Sequence, residues 1–138
     1  MFVLYNLLLL LFSPLIAVYY IYRGMLPESL RRESGRPRIW VHAVSVGEAV
    51  ASGPVLRELK ALMPDVELIV STTTTTGQDM VKKSLSEVDQ TLYFPLDYLP
   101  FVRRSVSIVR PDVFVSMESE IWPNFLAEIR RNKIPALI

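Results

Sequence analysis

Cysteine is absent from this 138-residue chain, net charge is nearly absent at +1, and the common nucleotide-binding motifs are missing. Without cysteine the chain can form neither disulfides nor thiolate metal sites. The small net charge argues against a protein whose main task is binding nucleic acid. There is no G-x-G-x-x-G motif and no P-loop lysine, so dinucleotide and Walker-type nucleotide binding are disfavoured.

Charge is also missing from the first 22 residues, nearly all of which are apolar or aromatic. A helix of this length, rising about 1.5 Å per residue, matches a hydrocarbon core of about 30 Å. A secretory signal would show a basic start and an A-x-A-like cleavage site, and neither is present. We therefore predict a transmembrane anchor over residues 1–22, kinked at Pro14. The alternative is a hydrophobic helix that lies in the membrane interface or packs on the domain.

A basic linker is predicted over residues 23–37, where glycine and proline interrupt any regular pattern. Its arginines outnumber the two glutamates, which places this side of the anchor in the cytoplasm by the positive-inside rule. Basic side chains near an anionic membrane surface are attracted to it. The candidates for that contact are Arg31, Arg32, Arg36 and Arg38.

The remaining residues, 38–138, alternate short β-rich runs with helical patterns. Strands are predicted over 38–44, 67–72, 91–94, 113–117 and 134–138, and helices over 48–63, 76–84, 99–109 and 121–132. This order predicts an α/β domain with a Rossmann-like parallel sheet covered by helices on both faces. Pro54 predicts a kink or a helix start at Ser52, and Thr75 or Thr76 is the expected cap of the second helix. Because the last predicted strand reaches residue 138, we interpret the domain as incomplete.

Ligands of open parallel sheets bind beyond the carboxyl ends of the strands. The first strand is followed by the HAVSVGE segment at residues 42–48. Gly47 would allow a tight turn and close approach of a ligand. Glu48, at a helix N-terminus, could accept a proton from a substrate hydroxyl, or it could merely complement the helix dipole. We interpret His42 as a packed or hydrogen-bonded core residue.

Two further loops carry polar groups at the same edge. Residues 117–124 (MESEIWPN) place Glu118 and Glu120 after the fourth strand, although Ser119 or Glu120 could serve as a helix cap. Trp122 is either core or a platform for a sugar ring. Residues 71–77 (STTTTTG) offer hydroxyls and backbone N–H groups that could hold a phosphate or carboxylate.

These three motifs, in this order and spacing, resemble the N-terminal domain of the 3-deoxy-D-manno-octulosonic acid (Kdo) transferases of lipopolysaccharide synthesis. The resemblance implies the N-terminal half of a two-domain GT-B glycosyltransferase at the bacterial inner membrane. It implies an inverting, metal-independent transfer of Kdo from CMP-Kdo to the lipid A precursor (lipid IVA), with no cofactor. The donor-binding C-terminal domain of the family is absent from these residues, so we expect the chain to be inactive alone.

The resemblance also implies roles for individual residues. Glu48 matches the general base, and Glu118 matches a residue that stabilises the transition state. Substrate-binding positions are implied at Ser45, Gly47, Glu120 and Asn124. Two alternatives remain at this point: another membrane-associated GT-B glycosyltransferase, acting for example on a peptidoglycan lipid, or a non-catalytic membrane-tethered α/β binding module.

Overall fold

The computed structural model describes residues 2–15, 18, 26, 30–32 and 35–138, and in them parallel strands alternate with helices. Each strand except the last is followed by a helix that returns the chain to the opposite end of the sheet. In chain order the elements are α1 (Phe2–Leu11), β1 (Arg38–His42), α2 (Val46–Leu62), β2 (Glu67–Thr72), α3 (Thr75–Ser84), β3 (Gln90–Tyr93), α4 (Leu99–Val109), β4 (Val113–Ser116), α5 (Pro123–Arg131) and β5 (Ala136–Leu137).

The strands form one parallel sheet with the order β3-β2-β1-β4-β5, which confirms the predicted Rossmann-like α/β fold. β1 is central, and all five of its residues are buried. The chain leaves β1 toward one edge of the sheet and later returns to add β4 on the other side of β1. This reversal is a topological switch point, where ligands of such sheets bind between the diverging loops.

Each face of the sheet carries its own hydrophobic core. On one face Trp40 and Phe114 of the sheet pack with Phe125 of α5 and with the buried side of α4. On the other face Val41 and its sheet neighbours pack against Leu56 of α2 and the buried side of α3. Helices therefore cover both faces, as predicted, and the alternation of side chains along β1 supplies both cores.

The structure corrects two details at helix starts, the effect of Pro54 on α2 and the cap of α3. α2 begins at Val46, two residues before the predicted start at Glu48, and runs through Pro54, so the alternative start at Ser52 does not occur. Proline removes one helical hydrogen bond, but the helix keeps buried residues on both sides of it, Ala49 and Leu56, which hold it on the sheet. α3 is capped by Thr74, whose hydroxyl accepts a hydrogen bond from the Gly77 amide, and not by Thr75 or Thr76.

The N-terminal helix α1 contacts the domain through one polar stripe. The Tyr5 hydroxyl donates to Asp97 at 2.8 Å, and the Asn6 side chain accepts from Asn124 at 2.9 Å. No helix in the part of the chain that the structure describes is long and apolar enough to cross a membrane. Residues 1, 16, 17 and 19–22 of the predicted anchor lie outside the described residues, so the anchor stays a prediction.

Most of the arginines in and next to the predicted linker form ion pairs or hydrogen bonds with the α/β domain. Arg38 was predicted as a membrane contact, and this is wrong, because it is 1% exposed and paired with Glu67 inside the sheet. Arg32 forms an ion pair with Asp112 at 2.9 Å. Arg36 donates to the backbone near the end of α2. Arg31 is exposed and stays a candidate for the membrane contact.

Candidate active site

The loops after β1 and β4 meet at the switch point of the sheet. The backbone amide of Met117 donates to the carbonyl of His42 at 3.0 Å, so the two loops are joined at the point where their strands end. Beyond this bond the first loop enters α2 on one face of the sheet. The second loop enters α5 on the other face. The sequence prediction that both carboxylate motifs lie at one edge is therefore confirmed by the strand order.

Glu48 is half-buried and folds back over the N-terminus of α2. One carboxylate oxygen accepts from the Val44 amide at 2.7 Å, and the other accepts from the Ser45 hydroxyl at 2.9 Å. The Ser45 hydroxyl in turn accepts from the Glu48 amide at 3.2 Å, which completes a close variant of the capping box. Glu48 forms no ion pair with any described residue. Its oxygens retain lone pairs for a substrate hydroxyl.

The loop after β4 presents one free and one anchored carboxylate. Glu118 is exposed, and its backbone carbonyl accepts from the Ser116 hydroxyl at 2.7 Å, which fixes the start of the loop. Glu120 is half-buried, and one of its oxygens accepts from the Trp122 indole at 2.9 Å. Trp122 also packs against Phe94, so its ring is partly core. Glu118 can reach a ligand freely, whereas Glu120 is held.

His42 lies fully buried between the two carboxylate motifs, as the sequence predicted for a core histidine. Its ring stacks on Phe94 with centroids 3.8 Å apart. Nδ1 is 2.9 Å from the Ser71 hydroxyl, and Nε2 is 3.8 Å from a Glu120 oxygen. Burial lowers the pKa of His42 to about 4, against the opposing effects of the Ser71 hydrogen bond and the negative charge of Glu48.

This buried imidazole predicts a loss of stability in weak acid. Between about pH 6.5 and pH 4 the unfolded chain protonates His42 and the folded chain does not. The folded state therefore loses stability as the pH falls through this window, by up to about 1.4 kcal/mol per pH unit. Asp97, whose pKa burial raises, acts in the opposite direction. Urea unfolding followed by tryptophan fluorescence measures the slope.

The control is His42→Gln, which has no imidazole to titrate. His42 is the chain's sole histidine, so the variant should show a clearly flatter dependence over the same window. Asp89 and Asp112 have lowered pKa values because hydrogen bonds and nearby cations outweigh the effect of their burial. Their contribution to stability is therefore lost only in stronger acid, below about pH 4. Equal slopes for parent and variant would show that His42 is not the group responsible.

Asp97 holds the start of α5 at the same edge of the sheet, and this residue was not predicted from the sequence. Its carboxylate accepts from the Asn124 and Phe125 amides at the start of α5, and from the Tyr5 hydroxyl. The Asn124 side chain donates to the Asp97 carbonyl at 2.5 Å and to Asn6. Asn124, predicted to bind substrate, is thus buried and its amide donors are used internally. The available signal was a lone carboxylate among apolar residues shortly after β3.

The remaining predicted positions have mainly local roles. Gly47 lies inside the first turn of α2 and not in a tight turn, and a Cβ there would meet only the Ser45 hydroxyl, at 3.7 Å. Ser45 is exposed and caps α2. In the threonine loop, Thr73 donates to the Val44 carbonyl and Thr74 caps α3. Thr73 therefore supports the loop after β1 and Thr74 the start of α3, and an anion site in this loop stays a prediction.

The fold and the site together define a class. This is a Rossmann-type α/β domain whose loops at the switch point, the place of the ligand crevice in such sheets, carry carboxylates and include no glycine-rich phosphate loop. Carboxylates in such a crevice suit proton transfer from a hydroxyl and stabilisation of developing positive charge. They do not suit binding of a dinucleotide pyrophosphate.

Comparison with known proteins identifies the family within this class. The sequence model of one protein family, described as 3-deoxy-D-manno-octulosonic-acid transferase (kdotransferase), matches residues 22–138 of this chain. The 3-deoxy-D-manno-octulosonic acid transferase of Haemophilus influenzae is 37% identical over 101 residues, which cover 72% of this chain and 23% of that protein. That of Rickettsia typhi is 30% identical over 112 residues, covering 79% and 24%. The chain belongs to the Kdo transferase family.

The matched region is only part of these relatives. The chain spans about a quarter of the length of the curated proteins that it matches. Family membership is therefore established for this region, and it includes both carboxylate motifs and the sheet that positions them.

Proposed function

We propose that the protein transfers Kdo from CMP-Kdo to the lipid A precursor, lipid IVA, by an inverting, metal-independent reaction in a GT-B enzyme. The observation that carries this proposal is the meeting of two family motifs at one crevice. The motif ending in Glu48 and the motif beginning at Glu118 follow adjacent strands, and the Met117–His42 hydrogen bond joins their loops. Family membership of the region supports the substrate class.

Glu48 is the proposed general base. A sugar hydroxyl is a weak nucleophile, and a positioned carboxylate can take its proton as the new glycosidic bond forms. The Ser45 hydroxyl and the Val44 amide hold both oxygens of Glu48 at the rim of the sheet. The acceptor oxygen attacks the anomeric carbon of Kdo, the bond from that carbon to the CMP phosphate oxygen breaks, and the proton passes to Glu48.

Glu118 is the proposed stabiliser of the transition state. As CMP departs, positive charge develops on the Kdo ring, and a nearby carboxylate lowers the energy of that charge. Glu118 is exposed on the loop after β4, and it forms no ion pair with any described residue. Ser45, Gly47, Glu120 and Asn124 complete the substrate-binding set that the family resemblance implies. A second domain, as in the GT-B fold, would bind the CMP portion.

The test of this function is a transfer assay. The protein expressed from its complete reading frame is incubated with CMP-Kdo and lipid IVA, with EDTA present and absent, and the lipid product is detected by mass spectrometry. We expect addition of Kdo to lipid IVA at a rate that EDTA does not change. Absence of product, with the Haemophilus influenzae relative active under the same conditions, would contradict the proposal. Loss of product only with EDTA would contradict metal independence.

We also propose that the protein is anchored at the inner membrane, with the domain on the cytoplasmic side. The support is the surface of α1, which turns Tyr5 and Asn6 toward the domain and leaves its other sides apolar and exposed. Such a surface favours transfer out of water, at roughly 1.5–3 kcal/mol per large side chain. The exposed apolar residues include Val3, Leu4, Leu7, Leu8, Leu11, Phe12 and Leu15.

Replacing Leu4, Leu8 and Leu11 together with serine is therefore expected to lower membrane binding by at least about tenfold. Flotation with vesicles of phosphatidylethanolamine and phosphatidylglycerol measures the bound fraction. The matched control replaces Leu62 and Ile121 with serine, because these are exposed apolar residues of the domain itself. The control should float like the parent. Equal flotation of all three proteins would argue against a role of α1 in membrane binding.

A further inference from the structure

A chain of buried polar groups runs from the core of the domain to the second carboxylate motif. The Trp40 indole donates to the Ser71 hydroxyl at 2.8 Å, and this hydroxyl lies 2.9 Å from Nδ1 of His42. On the other side of the ring, Nε2 lies 3.8 Å from an oxygen of Glu120. The same oxygen accepts from the Trp122 indole at 2.9 Å. The chain therefore ends on a residue of the candidate site.

The groups around the ring favour one position for the proton of neutral His42. The Ser71 hydroxyl, which accepts from Trp40, has both a hydrogen to give to Nδ1 and a second lone pair to accept from it, so this contact allows either tautomer. The Ser71 carbonyl, 3.2 Å from Nδ1, also accepts from the Ala43 amide at 2.9 Å and keeps a second lone pair, so Nε2 and its surroundings decide between the tautomers. With Nδ1 as acceptor, the proton sits on Nε2 and faces the Glu120 carboxylate. The other tautomer would set a lone pair against that carboxylate.

The Nε2 group is buried, fixed and without a hydrogen-bond partner in the described structure. Leaving a buried donor unpaired costs about 1–3 kcal/mol. The ring cannot easily turn to find another acceptor, because it is fully buried and stacked on Phe94. The nearest acceptor is the Glu120 oxygen, and hydrogen bonds in an active site often tighten only when substrate is bound. A small movement of the Glu120 loop would close this gap.

We propose that His42 is a positioning residue that holds Glu120, together with Trp122, so that the other Glu120 oxygen faces a hydroxyl of the sugar substrate. This inference rests on the proposed function and deepens it. The Trp122 indole donates to one oxygen of Glu120, His42 Nε2 faces the same oxygen at 3.8 Å, and no described side chain binds the second oxygen. A carboxylate fixed in this way pays less conformational entropy when it binds a hydroxyl.

Two variants, His42→Asn and His42→Gln, distinguish the positioning of Glu120 from a mere packing role of His42. Glutamine places its amide nitrogen near the position of Nε2, whereas asparagine reaches only the position of Nδ1. We expect His42→Asn to lower kcat/KM for Kdo transfer by about 10- to 100-fold, the range that a misplaced group can cost. His42→Gln should stay within about fivefold of the parent, because it can still donate to Glu120. Unfolding is measured for both variants, so that a difference in stability is recognised.

A double-mutant cycle ties the effect to Glu120. If His42 acts through that carboxylate, His42→Asn should cost little more in a Glu120→Gln background than Glu120→Gln costs alone. Additive losses would overturn the proposal. So would equal damage by the Asn and Gln variants at equal stability.

A spectroscopic readout keeps the inference separate from the proposed function. Nitrogen-15 NMR of the imidazole, assigned by comparison with the His42→Gln spectrum, distinguishes the Nε2–H from the Nδ1–H tautomer. We expect the Nε2–H form, and we expect its Nε2 signal to shift in Glu120→Gln. The Nδ1–H form, or an unchanged signal, would refute the pairing. If the parent transfers no Kdo, the proposed function fails, and the NMR result still decides whether His42 holds Glu120.

Discussion

Replacing Glu48 with glutamine is expected to lower the rate of Kdo transfer by about 10²- to 10⁴-fold, the usual contribution of a general base. Glutamine keeps an oxygen that can accept from the Val44 amide, and it is a normal residue at this position of a capping box. The helix start should therefore survive, and the free energy of unfolding should change by less than about 1 kcal/mol. Steady-state kinetics and urea unfolding measure the two effects.

The matched control is Ser45→Ala, which removes the cap and keeps the carboxylate. Loss of a helix cap costs about 1 kcal/mol of stability, because the Glu48 amide loses its acceptor and the carboxylate loses one donor. We expect this variant to be less stable than Glu48→Gln and yet more active. If Glu48→Gln retains nearly parental turnover, Glu48 has only the capping role that the sequence left open as its alternative.

The fold was largely predictable because the parallel sheet is buried on both faces. The second strand and the helix over 99–109 were predicted with their observed bounds, since each is an apolar run or amphipathic segment between clear turn signals. The start of α2 was predicted two residues late, at Glu48, and Pro54 left a start at Ser52 open as an alternative. A proline costs one hydrogen bond, and packing of Ala49 and Leu56 against the sheet outweighs it here.

Only those features of the site that depend on local motifs and on strand order were predicted from the sequence. Both carboxylate motifs were placed at one edge, because the carboxyl ends of parallel strands meet there. The contacts that orient them could not be predicted. His42 and Ser71 are 29 residues apart, and Asp97 lies 27 residues before the Asn124 amide that it accepts from. Hydrogen bonds between residues so far apart in sequence depend on how the helices and strands pack, and the periodicity of apolar residues does not show that packing.

Arg38 is the clearest case of a contact that the sequence pattern did not predict. Replacing it has the largest expected effect on the free energy of unfolding. The sequence grouped it with the basic linker, but the fold encloses it between β1 and β2. Its guanidinium makes two 2.9 Å hydrogen bonds to Glu67 and donates to the carbonyls of Leu30 and Val109. The Gln90 side chain also donates to Glu67. The Arg38 guanidinium and the Glu67 carboxylate thus satisfy each other only while both side chains are present.

Arg38→Met is therefore expected to destabilise the protein by about 3–5 kcal/mol, because it leaves the Glu67 charge buried without its partner. Adding Glu67→Leu should recover much of that loss, since removing both charges of a buried pair is often close to neutral. Arg103→Met, at an exposed arginine 3.6 Å from Glu128, is the control and should cost less than about 1 kcal/mol. Urea unfolding of the four proteins tests the argument. If Arg38→Met costs no more than Arg103→Met, or if the double variant is the least stable, the buried pair does not hold β1 to β2.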